Sequence, residues 1–206
     1  MVGRFISLEG SEGVGKSTQL KGLADALIAR GIDVVTTREP GGSRGAEAIR
    51  KLLLDGSDDE WGPEAEALLF AAARADHVDK IIRPALHAGR WVLCDRFVDS
   101  SLAYQGGAAG LGLEAVRWIN GFGIGEWFPD RTLVLMLTDG VDRASARDGN
   151  RSDRIGRRPR AYHEAVEAAF RMIAAQEPDR VRLVDSSGSP EEVTSRLLTA
   201  LEDLIQ

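Results

Sequence analysis

The feature that most constrains this chain is a glycine-rich segment at residues 10–17, which satisfies the pattern G-x-x-x-x-G-K-[ST]. The apolar run at 5–8 predicts a buried strand before it, and Leu20, Leu23 and Leu27 follow at helical spacing. Glycines allow the backbone to turn so that successive N–H groups point at one anion, and the following helix adds its positive N-terminal end. The segment therefore predicts a phosphate-binding loop between a strand and a helix.

Each residue type in this loop has a role in binding a nucleotide. The lysine is expected to reach the outer phosphates, and the serine after it to place its hydroxyl on Mg²⁺. An ordinary glycine-rich turn with a surface lysine is the alternative, and the strand-to-helix context argues against it. Binding of ATP or GTP is predicted, but the acceptor of a phosphoryl group is not, because many classes share the motif. The predicted ATP-binding residues are Gly10, Ser11, Glu12, Gly13, Val14, Gly15, Lys16, Ser17 and Thr18.

Hydrophobic runs alternate with helical patterns along the rest of the chain. Runs at 34–35, 91–94, 132–137 and 181–184 predict strands, and the segments 46–54, 63–88, 113–122, 161–175 and 190–205 predict helices. This alternation predicts an α/β fold of the P-loop NTPase type, with a parallel sheet and helices on both faces. We expect one domain over residues 1–206. Residues 143–160 are rich in arginine, glycine and aspartate, and we expect them to form a mobile lid.

Composition narrows the class of partner. The net charge of −6 argues against general nucleic-acid binding, which requires a basic surface. The seven arginines of residues 143–160 could bind a phosphate backbone, but a phosphate clamp explains them equally well. Cys94 is the only cysteine, so an internal disulfide is excluded and a reducing cytoplasm fits best. No signal-peptide pattern opens the chain, and no apolar stretch approaches the roughly 20 residues of a membrane helix.

A second site is predicted after the strand at 91–94. Asp95 and Arg96 stand at its carboxyl end, where ligands bind in parallel sheets. The aspartate can hold Mg²⁺ through water and the arginine can grip a second phosphate, although a structural ion pair is the alternative. Phe70 and Arg74 are four residues apart and share a helix face, so they could stack on a base and donate to its carbonyl edge. A core phenylalanine beside a snorkelling arginine is the alternative there.

Five strings resemble, in this order and spacing, those of bacterial thymidylate kinases: SLEGSEGVGKST, TREPGG, LLFAAARADHV, DRFVDSSLAYQGG and SDRI. The resemblance extends from about Phe5 to the last predicted helix. It implies phosphorylation of dTMP to dTDP, with ATP as donor, Mg²⁺ as cofactor and a homodimeric assembly. The two classes weighed against it are a kinase for another nucleoside monophosphate or a deoxynucleoside, and a P-loop switch that signals by shape.

The resemblance also implies roles for individual residues. Arg96, helped by Arg50, is expected to bind the dTMP phosphate, which favours a monophosphate acceptor over a nucleoside. Phe70 is expected to stack on thymine and Arg74 to donate to its O4, while Glu12 lies near the sugar 3′-hydroxyl and the metal. The bond between Glu39 and Pro40 is expected to be cis. The implied substrate-binding residues are Glu12, Glu39, Arg50, Phe70, Arg74, Arg96, Ser101 and Gln105, and the metal-binding residues are Ser17 and Asp95.

The catalytic arginine is expected to come from the lid. In one branch of the family it stands inside the P-loop, at the position that Gly13 occupies here. Arg154, in the string SDRI, is the first candidate and Arg147 the second, with Arg151 behind them. The segment departs from its relatives at Gly156, where they often have glutamate. The predicted catalytic residues are Lys16, Arg96, Arg154 and Arg147.

Overall fold

A five-stranded parallel sheet lies at the centre of the computed structural model, which describes residues 3–55, 57, 60–125, 127–137 and 153–205. The order β2-β3-β1-β4-β5 places β1 between β3 and β4, and all neighbours are parallel. The carboxyl ends of the strands therefore meet at one edge, as expected for this α/β class. The strands are β1 (Phe5–Glu9), β2 (Val34–Arg38), β3 (Trp91–Asp95), β4 (Arg131–Met136) and β5 (Val181–Asp185).

Helices cover both faces of the sheet, as the sequence predicts. Side chains alternate along a strand, so Ile6 and Leu8 join one core cluster while Phe5 joins another on the opposite face. The helices are α1 (Lys16–Ile28), α2 (Arg44–Leu54), α3 (Pro63–His77), α4 (Arg83–His87), α5 (Val98–Ser101), α6 (Leu113–Ile124), α7 (Arg160–Gln176), α8 (Pro190–Thr199) and α9 (Glu202–Ile205).

The helix predicted over 63–88 is interrupted. A π-helical stretch, Val78–Ile82, separates α3 from α4, and Pro84 stands in the first turn of α4, where a missing N–H costs no hydrogen bond. A second π-helical stretch, Leu102–Ala108, follows α5 in a segment that carries no clear helical periodicity. This second stretch brings Ser101 and Gln105 to the same side of the chain.

A buried ionic network holds α5 against the sheet. Asp99 is fully buried and accepts two hydrogen bonds from the guanidinium of Arg180, at 2.7 and 2.8 Å, and one from the hydroxyl of Thr132 at 2.7 Å. The hydroxyls of Thr132 and Ser7 are 2.9 Å apart, which extends the network to β1. Since a buried carboxylate is tolerated only when its partners satisfy it, this network fixes the chain that follows β3.

Two predictions about the chain as a whole lie partly outside the described residues. Of the lid predicted at 143–160, the described part begins at Asp153, and the single domain over 1–206 stays a prediction. In the part of the chain that the structure describes, no helix is both long and apolar enough to span a membrane.

Candidate active site

Most of the predicted site residues line one cavity of about 700 Å³ at the carboxyl edge of the sheet. The P-loop forms one wall, and the segments that follow β2 and β3 form the others. Gly10 and Ser11 are buried and do not line it. The predicted residues that the structure brings together here are Glu12, Gly13, Val14, Gly15, Lys16, Ser17, Thr18, Glu39, Arg50, Phe70, Arg74, Asp95, Arg96, Ser101 and Gln105.

The P-loop takes a backbone path that requires glycine. Gly10, Gly13 and Gly15 all have positive φ angles, of 132°, 73° and 95°. A Cβ at Gly10 would also lie 2.5 Å from the carbonyl oxygen of Leu135 on β4, so no other residue fits there. The loop leads directly into α1, which begins at Lys16, and its amides are therefore placed for an anion at a helix N-terminus.

Lys16 is held over the loop. Its ammonium group donates to the carbonyl oxygens of Gly10 and Ser11, at 3.2 and 2.7 Å. Burial, with Arg96 nearby, lowers the pKa of Lys16 to about 8, so its charged form still predominates at neutral pH. A buried cation at the mouth of an amide-lined loop suits the outer phosphates of a nucleotide.

Arg96 joins the P-loop to the other half of the cavity. It has a φ of 69°, an uncommon value for a residue with a side chain and one often found at functional sites. Its guanidinium donates to the Gly10 carbonyl at 3.0 Å, to the Ser100 hydroxyl at 3.2 Å and to the Glu12 carboxylate, and it lies 5.2 Å from the centre of the Tyr104 ring. Arg96 lowers the pKa of Glu12 to about 2, so Glu12 is ionised at neutral pH.

Glu9 holds the chain segment that follows Arg96, and sequence reasoning missed it. One carboxylate oxygen accepts the backbone N–H of Phe97 at 2.7 Å, and the other is bonded to the hydroxyl of Ser100. Burial, and then the nearby Asp99, raise the pKa of Glu9 to about 8. The one available signal was a glutamate at the end of a buried, mostly apolar strand next to the glycine motif.

Arg74 is buried and bonded on nearly every side. It is 2% exposed, so the snorkelling alternative is excluded. Its Nε donates to Glu39 at 2.7 Å, one terminal nitrogen donates to Ser101 at 3.0 Å and to Asn120, and the other donates to the Phe97 carbonyl at 3.0 Å. The described residues thus accept four of its five N–H bonds, and Arg74 also lines the cavity.

A further set of residues holds the partners of Arg74, and sequence reasoning did not identify them. The second oxygen of Glu39 lies 2.9 Å from Nδ1 of His77, whose Nε2 lies 2.7 Å from the Thr37 hydroxyl. Asn120 on α6 donates to the Val116 carbonyl at 2.8 Å, which leaves its oxygen for Arg74. Thr37, Glu39 and Asn120 are distant from Arg74 along the chain, and only His77 stands near it, one turn further along α3.

The helix that follows β2 and its turn supplies a second cation. Arg50 on α2 donates to the Pro40 carbonyl at 2.6 Å and lines the cavity with Glu39. The peptide bond between Glu39 and Pro40 is cis, which confirms the expectation from the sequence.

The two residues predicted to bind the metal lie next to each other. The Ser17 hydroxyl donates to a carboxylate oxygen of Asp95 at 3.0 Å, and both residues line the cavity. Glu167 on α7, which sequence reasoning also missed, accepts from the Ser11 hydroxyl at 3.2 Å.

Arg154, the first candidate for the catalytic arginine, is buried outside the cavity in this structure. It is 1% exposed, donates to the Leu53 carbonyl at 2.9 Å and to Glu66 at 2.6 Å, and does not line the cavity. Its partner in this structure is the buried carboxylate of Glu66, with which a guanidinium forms strong charge-assisted hydrogen bonds. Its catalytic role stays a prediction, and Arg147 and Arg151 lie outside the described residues.

The fold and the cavity define a P-loop phosphotransferase with a cationic second subsite. Comparison with known proteins gives the family, since residues 8–197 match the family model described as thymidylate kinase. The chain belongs to the thymidylate kinase family.

Individual relatives agree along the whole chain. It is 61% identical to the thymidylate kinase of Rhizorhabdus wittichii, with complete coverage of both chains. It is 48% identical to that of Bradyrhizobium diazoefficiens, over 98% of this chain and 90% of the relative. A crystal structure of thymidylate kinase from Ehrlichia chaffeensis superposes with a TM-score of 0.81 at 30% identity, covering 98% of this chain and 100% of the other.

Nucleotide affinity of the free protein is expected to fall as the pH rises through about 8. Because the pKa of Lys16 is lowered to about 8, its ammonium is charged at pH 7 and loses its proton above that value. Calorimetric titration with ATP alone, from about pH 7 to about pH 10, measures this. The Lys16→Arg variant is the control: a guanidinium stays charged in that range, so its affinity should fall less with pH, and any change due to Glu9, whose pKa is also about 8, is common to both proteins. Equal slopes for the two proteins would contradict the prediction.

Arg154→Ala is expected to lower stability more than turnover. The change leaves part of the buried Glu66 charge without its partner, which costs about 2 kcal/mol or more of unfolding free energy, while kcat falls by less than about tenfold. Urea unfolding and steady-state kinetics measure the two effects, with Arg171→Ala on the exposed face of α7 as control. A loss of about 10²-fold or more in kcat at unchanged stability would instead support the catalytic role predicted from the sequence.

Proposed function

We infer that the protein transfers the γ-phosphoryl group of ATP to dTMP, producing dTDP. The observation that carries this inference is a single cavity lined by the P-loop with Lys16, by two further cations, Arg96 and Arg50, and by the helix face of Phe70 and Arg74. A donor nucleotide and a nucleoside monophosphate thus have adjoining places. Membership of the thymidylate kinase family supports the identity of both substrates.

In the donor half, we propose that the P-loop amides and Lys16 hold the outer phosphates of ATP. The glycine backbone at Gly13 and Gly15 turns the loop around the anion, and Lys16 is already within reach of the loop carbonyls. Phosphoryl transfer depends on alignment and charge neutralisation more than on covalent chemistry by the protein. Lys16, a cation held in place next to the transferred phosphoryl group, would neutralise part of its charge.

Ser17 and Asp95 are the proposed ligands of Mg²⁺. A hydroxyl and a carboxylate 3.0 Å apart suit this ion, which prefers oxygen and retains several waters when proteins hold it by few side chains. When bound, the ion neutralises charge on the donor phosphates.

In the acceptor half, Arg96 and Arg50 are proposed to bind the phosphate of dTMP. A nucleoside acceptor would need a base to remove a hydroxyl proton, whereas a monophosphate acceptor needs cations for its phosphate. Arg96 already bridges the P-loop and the α5 segment through Gly10 and Ser100, so a phosphate on Arg96 lies next to the donor loop. Glu12, which is bonded to Arg96, is the proposed neighbour of the sugar hydroxyl.

The base is proposed to lie between Phe70 and the buried Arg74. Phe70 offers a ring for stacking, and the remaining N–H of Arg74 can donate to O4 of thymine. Cytosine has an amino group at that position, so two donors would face each other and leave a buried N–H unpaired. Ser101 and Gln105, on the same wall, are the proposed contacts to the rest of the base edge.

We also propose that two copies of the chain form a homodimer in the cytoplasm. Trp118 and Phe122, one turn apart on α6, are 82% and 99% exposed, and Leu68 on the adjoining α3 is 57% exposed. Large apolar side chains on neighbouring helices are costly in water, and a second copy of the same face would cover them. The free thiol of Cys94 supports a reducing compartment.

A substrate panel tests the proposed function. With ATP as donor, dTMP is expected to be turned over far faster than dCMP, dGMP or thymidine. Lys16→Ala should abolish turnover and leave dTMP binding by calorimetry nearly unchanged, because Lys16 faces the donor phosphates. Preference for another acceptor would overturn the substrate assignment. Hydrolysis of ATP at a rate that does not depend on added monophosphate would overturn the kinase assignment.

Phe122→Glu is expected to convert the dimer to a monomer. A charge in the centre of an apolar interface remains unpaired when the two faces meet, so association becomes unfavourable. Light scattering after size exclusion measures the mass. Ile28→Glu, at a half-exposed apolar position on α1, is the control and should leave the dimer intact. A monomeric parent protein would overturn the proposed assembly.

A further inference from the structure

We propose that Glu66 is a positioning residue that sets the orientation of the Gln105 amide and thereby the preference for thymine over cytosine. The proposal rests on the proposed function, since it concerns how the same cavity reads the base. Glu66 stands one turn before Phe70 and two turns before Arg74 on α3, so the three share a helix face. Unlike the other two, Glu66 does not line the cavity, and it is 1% exposed.

The contact between Glu66 and Gln105 has only one chemically allowed orientation. An ionised carboxylate can only accept hydrogen bonds, so the amide must present its NH₂ group to it. The Gln105 Nε2 lies 3.0 Å from Glu66 Oε1, and both side chains are buried. Because this bond takes the NH₂ end, the carbonyl oxygen of Gln105 is the end left for the cavity that Gln105 lines.

That carbonyl oxygen distinguishes the two pyrimidines. N3 of thymine carries a proton and donates, whereas N3 of cytosine has no proton and accepts. A carbonyl oxygen facing N3 therefore accepts a hydrogen bond from thymine. With cytosine the same oxygen meets a second acceptor, and the two repel each other. A free glutamine amide could turn over and present either end, so discrimination at this position depends on whatever fixes the amide.

The second oxygen of Glu66 explains why the carboxylate stays in place. Oε2 accepts from Arg154 and from Arg158, each at 2.6 Å, so two guanidinium groups compensate the buried charge. Arg158 also donates to the hydroxyl of Tyr162 and stacks on its ring at 4.6 Å, while Arg154 is tied to the Leu53 carbonyl. The two arginines thus hold one oxygen of the carboxylate, and the other oxygen accepts from Gln105.

The experiment compares Glu66→Gln with the parent on dTMP and dCMP. An amide at position 66 can accept or donate, so the Gln105 amide loses its fixed orientation. The ratio of kcat/KM for dTMP to that for dCMP is expected to fall by about tenfold or more, through a higher KM for dTMP, with kcat changed little. Glu64→Gln, at an exposed position on the same helix, is the matched control and should keep the parent ratio.

The outcomes separate this proposal from the proposed function. If the parent does not prefer dTMP, the proposed function fails. If the parent prefers dTMP and a folded Glu66→Gln protein keeps the same ratio, the role of Glu66 fails, because a merely structural residue would slow both substrates alike. In the Gln105→Leu background, Glu66→Gln should change the ratio no further, and an undiminished effect there would also overturn the proposal.

If the Glu66→Gln variant does not fold, a measurement on the unaltered protein tests the proposal instead. The side-chain NH₂ resonance of Gln105 is assigned by its loss in Gln105→Leu. Held by a buried carboxylate, this group should exchange its hydrogens about 10²-fold or more slowly than an exposed glutamine. Exchange at the rate of an exposed glutamine would overturn the proposal.

Discussion

The pairing of β1 with β3 is the constraint on which the rest of the site depends. Leu8 pairs with Asp95, and the N–H of Arg96 donates to the Leu8 carbonyl at 2.9 Å. The two strands are parallel, so the glycine loop that follows β1 and the arginine that follows β3 emerge side by side. The distance between the proposed donor and acceptor subsites is therefore set by backbone hydrogen bonds in the sheet and not by flexible side chains.

Three buried glutamates organise the polar side chains around this frame. Glu9 holds the backbone after Arg96, Glu39 holds the guanidinium of Arg74, and Glu66 holds the amide of Gln105. Burying a carboxyl group is costly, and each is tolerated because both of its oxygens take part in hydrogen bonds. Burial also raises the pKa of Glu9 to about 8, so Glu9 is mostly protonated at neutral pH. The result is a cavity whose donors and acceptors are aimed before a ligand arrives, so little reorganisation is needed on binding.

The fold and the nucleotide loop could be predicted because their signals are local. Lys16 and Ser17 belong to one contiguous motif, and alternating strands and helices indicate a parallel sheet. The helix face of Phe70 and Arg74 was a weaker signal, because the same spacing also suits a core residue beside a surface arginine. Glu9 gave little sign of its role, and Asn120 gave none, since it meets Arg74 only across 46 positions of the chain.

The sequence by itself determined the class of fold, the position of the phosphate loop and, through its strings, the family. Those features depend on backbone periodicity and on glycine conformations, which each short segment carries within itself. Only the tertiary structure decided that Arg154 pairs with Glu66 away from the cavity and that, among the described residues, four acceptors surround the guanidinium of Arg74. The physical reason is that a buried charge takes its partner from whichever strand or helix packs against it, and that choice is made by packing between distant segments.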